Sequence, residues 1–226
     1  MCYEALSQWH LGELTSCQAT IAEAISLAKE LNDTHGLAVA LFWAARLYLN
    51  ERHPSEVERM TSELIELATR QNFPHWLALG TGLRGWARSA SGDPEEGLAW
   101  IESGIEDWVA TGAVLQVPYY LGLKSEALYL ANRTSEALEA IREAEALVER
   151  SEDRHWCAEL HRLRGVLLAA LGSDQAQVEA SFFEAIRTAK EQKSISLAKR
   201  AEATYAEYRR QKADGSGRSA FRLPLY

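Results

Sequence analysis

Cysteine is scarce: Cys2, Cys17 and Cys157 are the three in the chain. An odd number without CxxC spacing excludes a disulfide framework and a zinc knuckle, and free thiols fit a reducing compartment. Proline is sparse too. Five prolines beside 14 glycines exclude collagen-like or long disordered stretches. No apolar run reaches about 18 residues, so no membrane-spanning helix is expected. The opening MCYEALSQWHLGEL lacks a basic segment followed by an apolar one, so it does not read as a secretory signal. A cytoplasmic location is the expectation from these absences. Positive charge is in deficit, with a formal net charge of −8. That surface repels phosphate backbones, and no nucleic-acid partner is expected. No GxxxxGK[ST] phosphate loop occurs; DGSGRS has glycines but no lysine.

What the chain does contain is repetition. PHWLALGTGLRGWARSASGD, residues 74–93, is echoed by RHWCAELHRLRGVLLAALGSD, residues 154–174. His75-Trp76 returns as His155-Trp156, Leu83-Arg84-Gly85 as Leu163-Arg164-Gly165, and Gly92 as Gly172. Halving the interval gives Ala5, Ala45, Gly85, Ser125 and Gly165, each 40 residues apart and each small. Two residues upstream stand Tyr3, Trp43, Leu83, Leu123 and Leu163, all large and apolar. Twelve downstream stand Cys17, Val57, Gly97, Ala137 and Gln177, four of them small or modest apolar residues.

Short polar breaks separate the apolar runs: LGELTS, NERHPS, SGDPEE, ANRTSE and LGSDQA. Pro54 and Pro94 suit the first turn of a helix, and Asp93 or Thr134 can cap one. The spacing predicts A helices over 2–11, 35–50, 75–91, 115–131, 155–171 and 194–211. It predicts B helices over 16–32, 55–71, 94–111, 134–150 and 175–192. In helix 134–150, Ala137, Leu138, Ile141, Ala144, Glu145 and Val148 fall on one stripe, with charged residues around them. No alternating run competes as a strand, so an all-α fold of about 40-residue helix pairs is expected. The small residue lets A and B helices cross closely. A bulkier one costs roughly 1–3 kcal/mol by overpacking, and stacking buries what one pair cannot.

Small position, large apolar neighbour and second small position together resemble the tetratricopeptide repeat. Ala45, Gly85, Ser125 and Gly165 match its first small position, and Gly97 and Ala137 match its second. The resemblance covers about residues 1–211 and implies a right-handed superhelical solenoid of five antiparallel helix pairs plus a closing helix. Residues 212–226 then read as a flexible tail. The unit is longer than the usual ~34 residues, and Gln177 departs from the pattern, which implies a looser last pair. The HW…LRG motif and RTSEALEAIREAEALVERS are similar to the C-terminal repeats of bacterial class III adenylate or guanylate cyclase–ATPase fusions and related regulators. Those catalytic parts are absent from this sequence, so their activities do not transfer.

Candidate chemistry is thin. His155, Cys157, Glu159 and His161 fall within seven residues. On one helix they divide into two faces, His155 with Glu159 and Cys157 with His161, so four ligands cannot converge on one metal. Glu95, Glu96, Glu143, Glu145 and Glu149 read as solvated helix faces. No enzyme activity, metal or cofactor is expected. Trp43 reads as core. The resemblance places Phe42, Arg46, Leu49, Trp86, Ser89, Tyr119, Glu126, Tyr129, Glu159 and Arg162 near the concave surface, where aromatics and arginines would anchor a protein or peptide partner. That implies an interaction scaffold within a signalling assembly. The alternatives are a ligand-sensing regulator of an attached module, or self-assembly as a homodimer through Tyr3, Leu6 and Trp9.

Overall fold

The structure is a computed structural model that describes residues 1–151 and 153–213. The expected tail therefore lies outside the described residues from position 214 onward, while residues 212 and 213 are helical. The described residues form eleven α-helices and no strand: α1 (Cys2–His10), α2 (Leu14–Glu30), α3 (Thr34–Asn50), α4 (Pro54–Gln71), α5 (Pro74–Ala90), α6 (Pro94–Ala110), α7 (Val117–Leu130), α8 (Thr134–Ser151), α9 (Cys157–Ala170), α10 (Gln175–Glu191) and α11 (Ile195–Ala213). They group into two compact units, one from Met1 to Val114 and one from Leu115 onward. This is the all-α, tetratricopeptide-like helix-pair fold expected from the repeat.

The turns repeat as regularly as the core. A left-handed residue follows successive A helices at 40-residue steps: Gly12, Arg52, Gly92, Asn132 and Gly172. Asn32, Asn72 and Gly112 do the same after B helices, and Lys193 comes one residue late. The delay arises at α10, which starts at Gln175 where the other B helices start at 14, 54, 94 and 134. Gln177 is consequently exposed, and Val178 takes the buried place at 1% exposure. The last pair is shifted by one residue, and the Phe182 ring covers Gly165 there.

Prolines open α4, α5 and α6 within the first turn, where the missing N–H costs nothing. Asp33 caps α3 by accepting from the Gly36 N–H at 2.9 Å. Asp93 makes no such cap; its carboxylate pairs with Arg88 at 3.1 Å. Helices α7 and α9 each begin two residues later than the sequence predicts. Gln116 adopts φ 71°, which breaks the helical path before Pro118. Asp153 ties the two starts together, accepting from the Gln116 N–H at 3.1 Å and meeting His155 Nδ1 at 2.5 Å.

In the first unit the small positions are sealed, with Ala5 and Ala45 fully buried. The large residue two before them is buried in Trp43 and Leu83, while Tyr3 is 72% exposed. Trp9 is fully buried and donates to Glu51 at 2.5 Å, so of the proposed self-assembly residues it is already used within the fold. Arg84 on α5 reaches Glu58 on α4 at 2.8 Å and lies over the Trp100 ring. In the second unit, Ser125 and Gly165 are buried, with Leu123 and Leu163 beside them. Phe182 packs against Tyr205 and Tyr208, which closes α11 over α10.

Candidate functional site

Nine of the ten residues expected near the concave surface, Leu49 included, are buried at 3% exposure or less, and Tyr129 is half-buried. They occupy recurring register positions on A helices. Arg46, Trp86 and Glu126 directly follow the small residue; Ser89 and Tyr129 lie four after it.

In the first unit Phe42 and Arg46 come together. The guanidinium of Arg46 stands 5.8 Å from the Phe42 ring centre and 5.0 Å from that of Trp43. Phe42 continues into Trp76 at 5.5 Å, and His75 lies against Trp108 at 4.3 Å. Burial, followed by the His35 charge, lowers the His75 pKa from its ordinary value. Trp86 receives Arg52 over its ring at 5.7 Å. Ser89 serves the helix crossing: its hydroxyl donates to the Gly85 carbonyl at 3.0 Å, and it packs on Gly97.

In the second unit Glu159 and Arg162 pair with each other. Arg162 Nη2 and Nε donate to the two carboxylate oxygens at 2.7 and 3.0 Å, with both side chains 2% exposed or less. Arg162 also reaches Thr204 Oγ1 at 3.3 Å, and Arg200 Nη1 stands 3.5 Å from Glu159. Tyr119 packs edge-on to Trp156 at 5.1 Å and to Tyr120 at 5.4 Å.

The His155–Cys157–Glu159–His161 segment divides differently from expectation. His155 precedes α9 and belongs to Asp153, so it shares no helix face with Glu159. Cys157 and His161 face a cleft of about 550 Å³ between α8 and α10, floored by α9. Glu145, expected on a solvated face, also lines that cleft. Its carboxylate stands 3.3 Å from His161 Nδ1 and 3.1 Å from Arg164 Nη1. Arg164 Nε donates to Ser181 at 3.1 Å. On the facing wall Arg187 bonds Glu184 and Glu191. Its hydrogen bonds hold the Glu184 carboxyl below the ordinary carboxylate range. Burial raises the Cys157 thiol above its usual value, so at neutral pH it is protonated and a poor nucleophile.

This cleft is what sequence reasoning missed. The signal was a charged residue, Glu145, on the apolar stripe of α8. Among the described residues no cluster of three His, Cys, Asp or Glu side chains is arranged to hold a metal. No described helix is long and apolar enough to cross a membrane.

Comparison with known proteins places this architecture. The crystal structure of Bacillus thuringiensis PlcR in complex with the peptide PapR7 and DNA matches with a TM-score of 0.72 at 14% identity. The match covers 90% of this chain and 72% of that one, and at this identity it shows a shared fold. The uncharacterized protein R02095 of Rhizobium meliloti (strain 1021) is 27% identical over 200 residues. That stretch is 87% of this chain but 19% of the relative, so the chain spans about a fifth of that protein. The family model described as Anaphase-promoting complex subunit 5 matches residues 2–51 and 149–212, together half of the chain. Both matched segments are helix-pair repeat, and the chain belongs to the anaphase-promoting complex subunit 5 family of helical repeats.

Proposed function

We propose that this chain is a non-catalytic interaction module that binds a protein or peptide segment through the A-helix row. The supporting observation is the presence of Arg46, Glu126, Glu159 and Arg162 at positions that a purely structural core fills with apolar groups. Even a paired buried charge, such as Glu159 with Arg162, is often no more stabilising than apolar residues of the same volume, so a role in recognition gives these residues a reason to be there. In the first unit Phe42, Trp86 and Ser89 lie buried at neighbouring positions of the row; in the second Tyr119 is buried and half-buried Tyr129 is the aromatic side chain within a partner's reach. PlcR, of the same fold, is bound to a peptide in its crystal structure, which favours a peptide-like partner here.

The partner on this reading is another domain of a longer regulatory protein, in keeping with the small fraction of the Rhizobium meliloti relative that the chain spans. A cyclase–ATPase fusion is the parent suggested by the HW…LRG resemblance, in the cytoplasm. Exposed Tyr3 favours a second reading, pairing of two copies through α1. Light scattering separates it: a monomer at high concentration removes that reading.

The main proposal is tested by a photo-crosslinking side chain at Tyr129 in the producing cell, read by mass spectrometry. The expected result is one partner segment, lost in Glu126→Ala and Glu126→Gln while helicity is kept. Loss of helicity in both variants would make this residue core and remove the recognition role.

A further inference from the structure

The helix α9 carries polar groups on two sides. Glu159 and Arg162 lie on one, locked to each other. Cys157, Leu160, His161 and Arg164 lie roughly half a turn round, on the side that floors the cleft. The A-helix row uses the first side, so the cleft has no part in the interaction proposed above and stands or falls without it.

At about 550 Å³ the cleft is within the ~300–1,000 Å³ range of small-molecule sites. Its charges are not equivalent. Arg187 is committed to Glu184 and Glu191, and Arg164 to Glu145 and Ser181. The Gln192 amide nitrogen is committed as well, donating to the Arg154 carbonyl at 2.6 Å, which fixes how that side chain is turned. Among the charged lining residues, Arg154 and Glu149 remain outside these pairs. The Arg154 guanidinium and the Glu149 carboxylate are exposed and in no ion pair among the described residues. Both belong to one end of the cleft, with Glu149 near the C-terminus of α8 and Arg154 just before α9. One unspent cation and one unspent anion beside a partly apolar floor, Val148 and Leu160, suit a ligand with both charges on a short frame.

We propose that the cleft between α8 and α10 binds a zwitterionic amino-carboxylate of free amino acid or dipeptide size. Its carboxylate is held by Arg154 and its ammonium by Glu149. Its side chain points toward the floor, where Glu145 and His161, each about one-fifth exposed, offer an acceptor and an imidazole. The two residues at the mouth recognise the class, and the two at the floor select among its members. No covalent step is involved.

The test is calorimetric titration of the full chain with the proteinogenic amino acids and glycyl dipeptides, each beside its N-acetylated and C-amidated form. At least one free zwitterion is expected to bind, and blocking either end weakens it about tenfold or more, about 1.4 kcal/mol. Arg154→Ala removes the preference for a free carboxylate, and Glu149→Gln removes the preference for a free amine. Both side chains are exposed, so circular dichroism should stay unchanged. Binding that survives N-acetylation overturns the proposal and assigns Arg154 to a peptide C-terminus instead. Absence of binding across the panel, or binding indifferent to both substitutions, overturns it outright.

Discussion

Gly85 and Gly97 approach so closely across the α5–α6 crossing that a β-carbon on Gly85 would stand 2.5 Å from the Gly97 carbonyl oxygen. The backbone nitrogen of Ile101 would be 2.8 Å from the same carbon. Backbone cannot swing aside as a side-chain tip can, so the two helices would have to separate. Gly85→Ala is expected to destabilise the chain by roughly 1–3 kcal/mol, read as a lower urea midpoint at unchanged slope. An unchanged midpoint would mean the helices do not cross there.

The Glu159–Arg162 pair makes a different prediction. Arg162→Leu takes the bidentate partner from a buried carboxylate, which keeps Arg200 Nη1 at 3.5 Å. Breaking a buried pair from one side costs about 3–5 kcal/mol, whereas replacing both partners by apolar residues is often near neutral. The double variant Glu159→Leu/Arg162→Leu should therefore be more stable than Arg162→Leu alone. Chemical denaturation of the four-member cycle measures this. Additive losses would contradict the pairing.

The repeat was legible in the sequence because it rests on side-chain size, which packing demands locally and which recurs with the helix pairs. Ala45, Gly85 and Ser125 needed no structure to be placed. The one-residue shift at α10 was not legible. Gln177 looked like a defective small position, when the helix had only started later and given its place to Val178. The late starts of α7 and α9 depend on Asp153 joining residues 37 apart in the chain, a contact no local pattern encodes. The cleft stayed hidden for a related reason. Glu145, His161 and Arg164 come from two helices, and their meeting depends on how those helices cross. Glu145 alone gave a hint, because it interrupts an apolar stripe.

Lys193 sits at φ 57°, in the left-handed region that β-carbon-bearing residues avoid. Its counterpart after α6 is Gly112. Lys193→Gly relieves that strain, offset in part by the greater freedom of glycine in the unfolded chain. A net stabilisation of about 0.5–1 kcal/mol is expected in thermal or urea unfolding. A loss of stability would show that the Lys193 side chain contributes more than its backbone costs.

His75 gives the chain a sign-defined response to acid. Its folded pKa is lowered by burial and then by the His35 charge, so the unfolded chain takes up the proton first. The stability tied to His75 is fully present above the unfolded value of about 6.5 and is lost as pH falls through the lowered folded value. Unfolding followed from pH 8 to pH 5 should show the wild type losing more stability than His75→Gln, a difference reduced when His35 is also replaced. Parallel curves for wild type and His75→Gln would contradict it.

The glycine-lined nesting of helix pairs is read by proton–proton nuclear Overhauser effects in the labelled chain. Cross-peaks are expected between the α-protons of Gly85 and Gly97 and between Gly82 and Gly104, whose backbones meet at the same crossing. Their absence, with α5 and α6 both helical by chemical shift, would contradict the packing on which the repeat, the A-helix row and the fold rest.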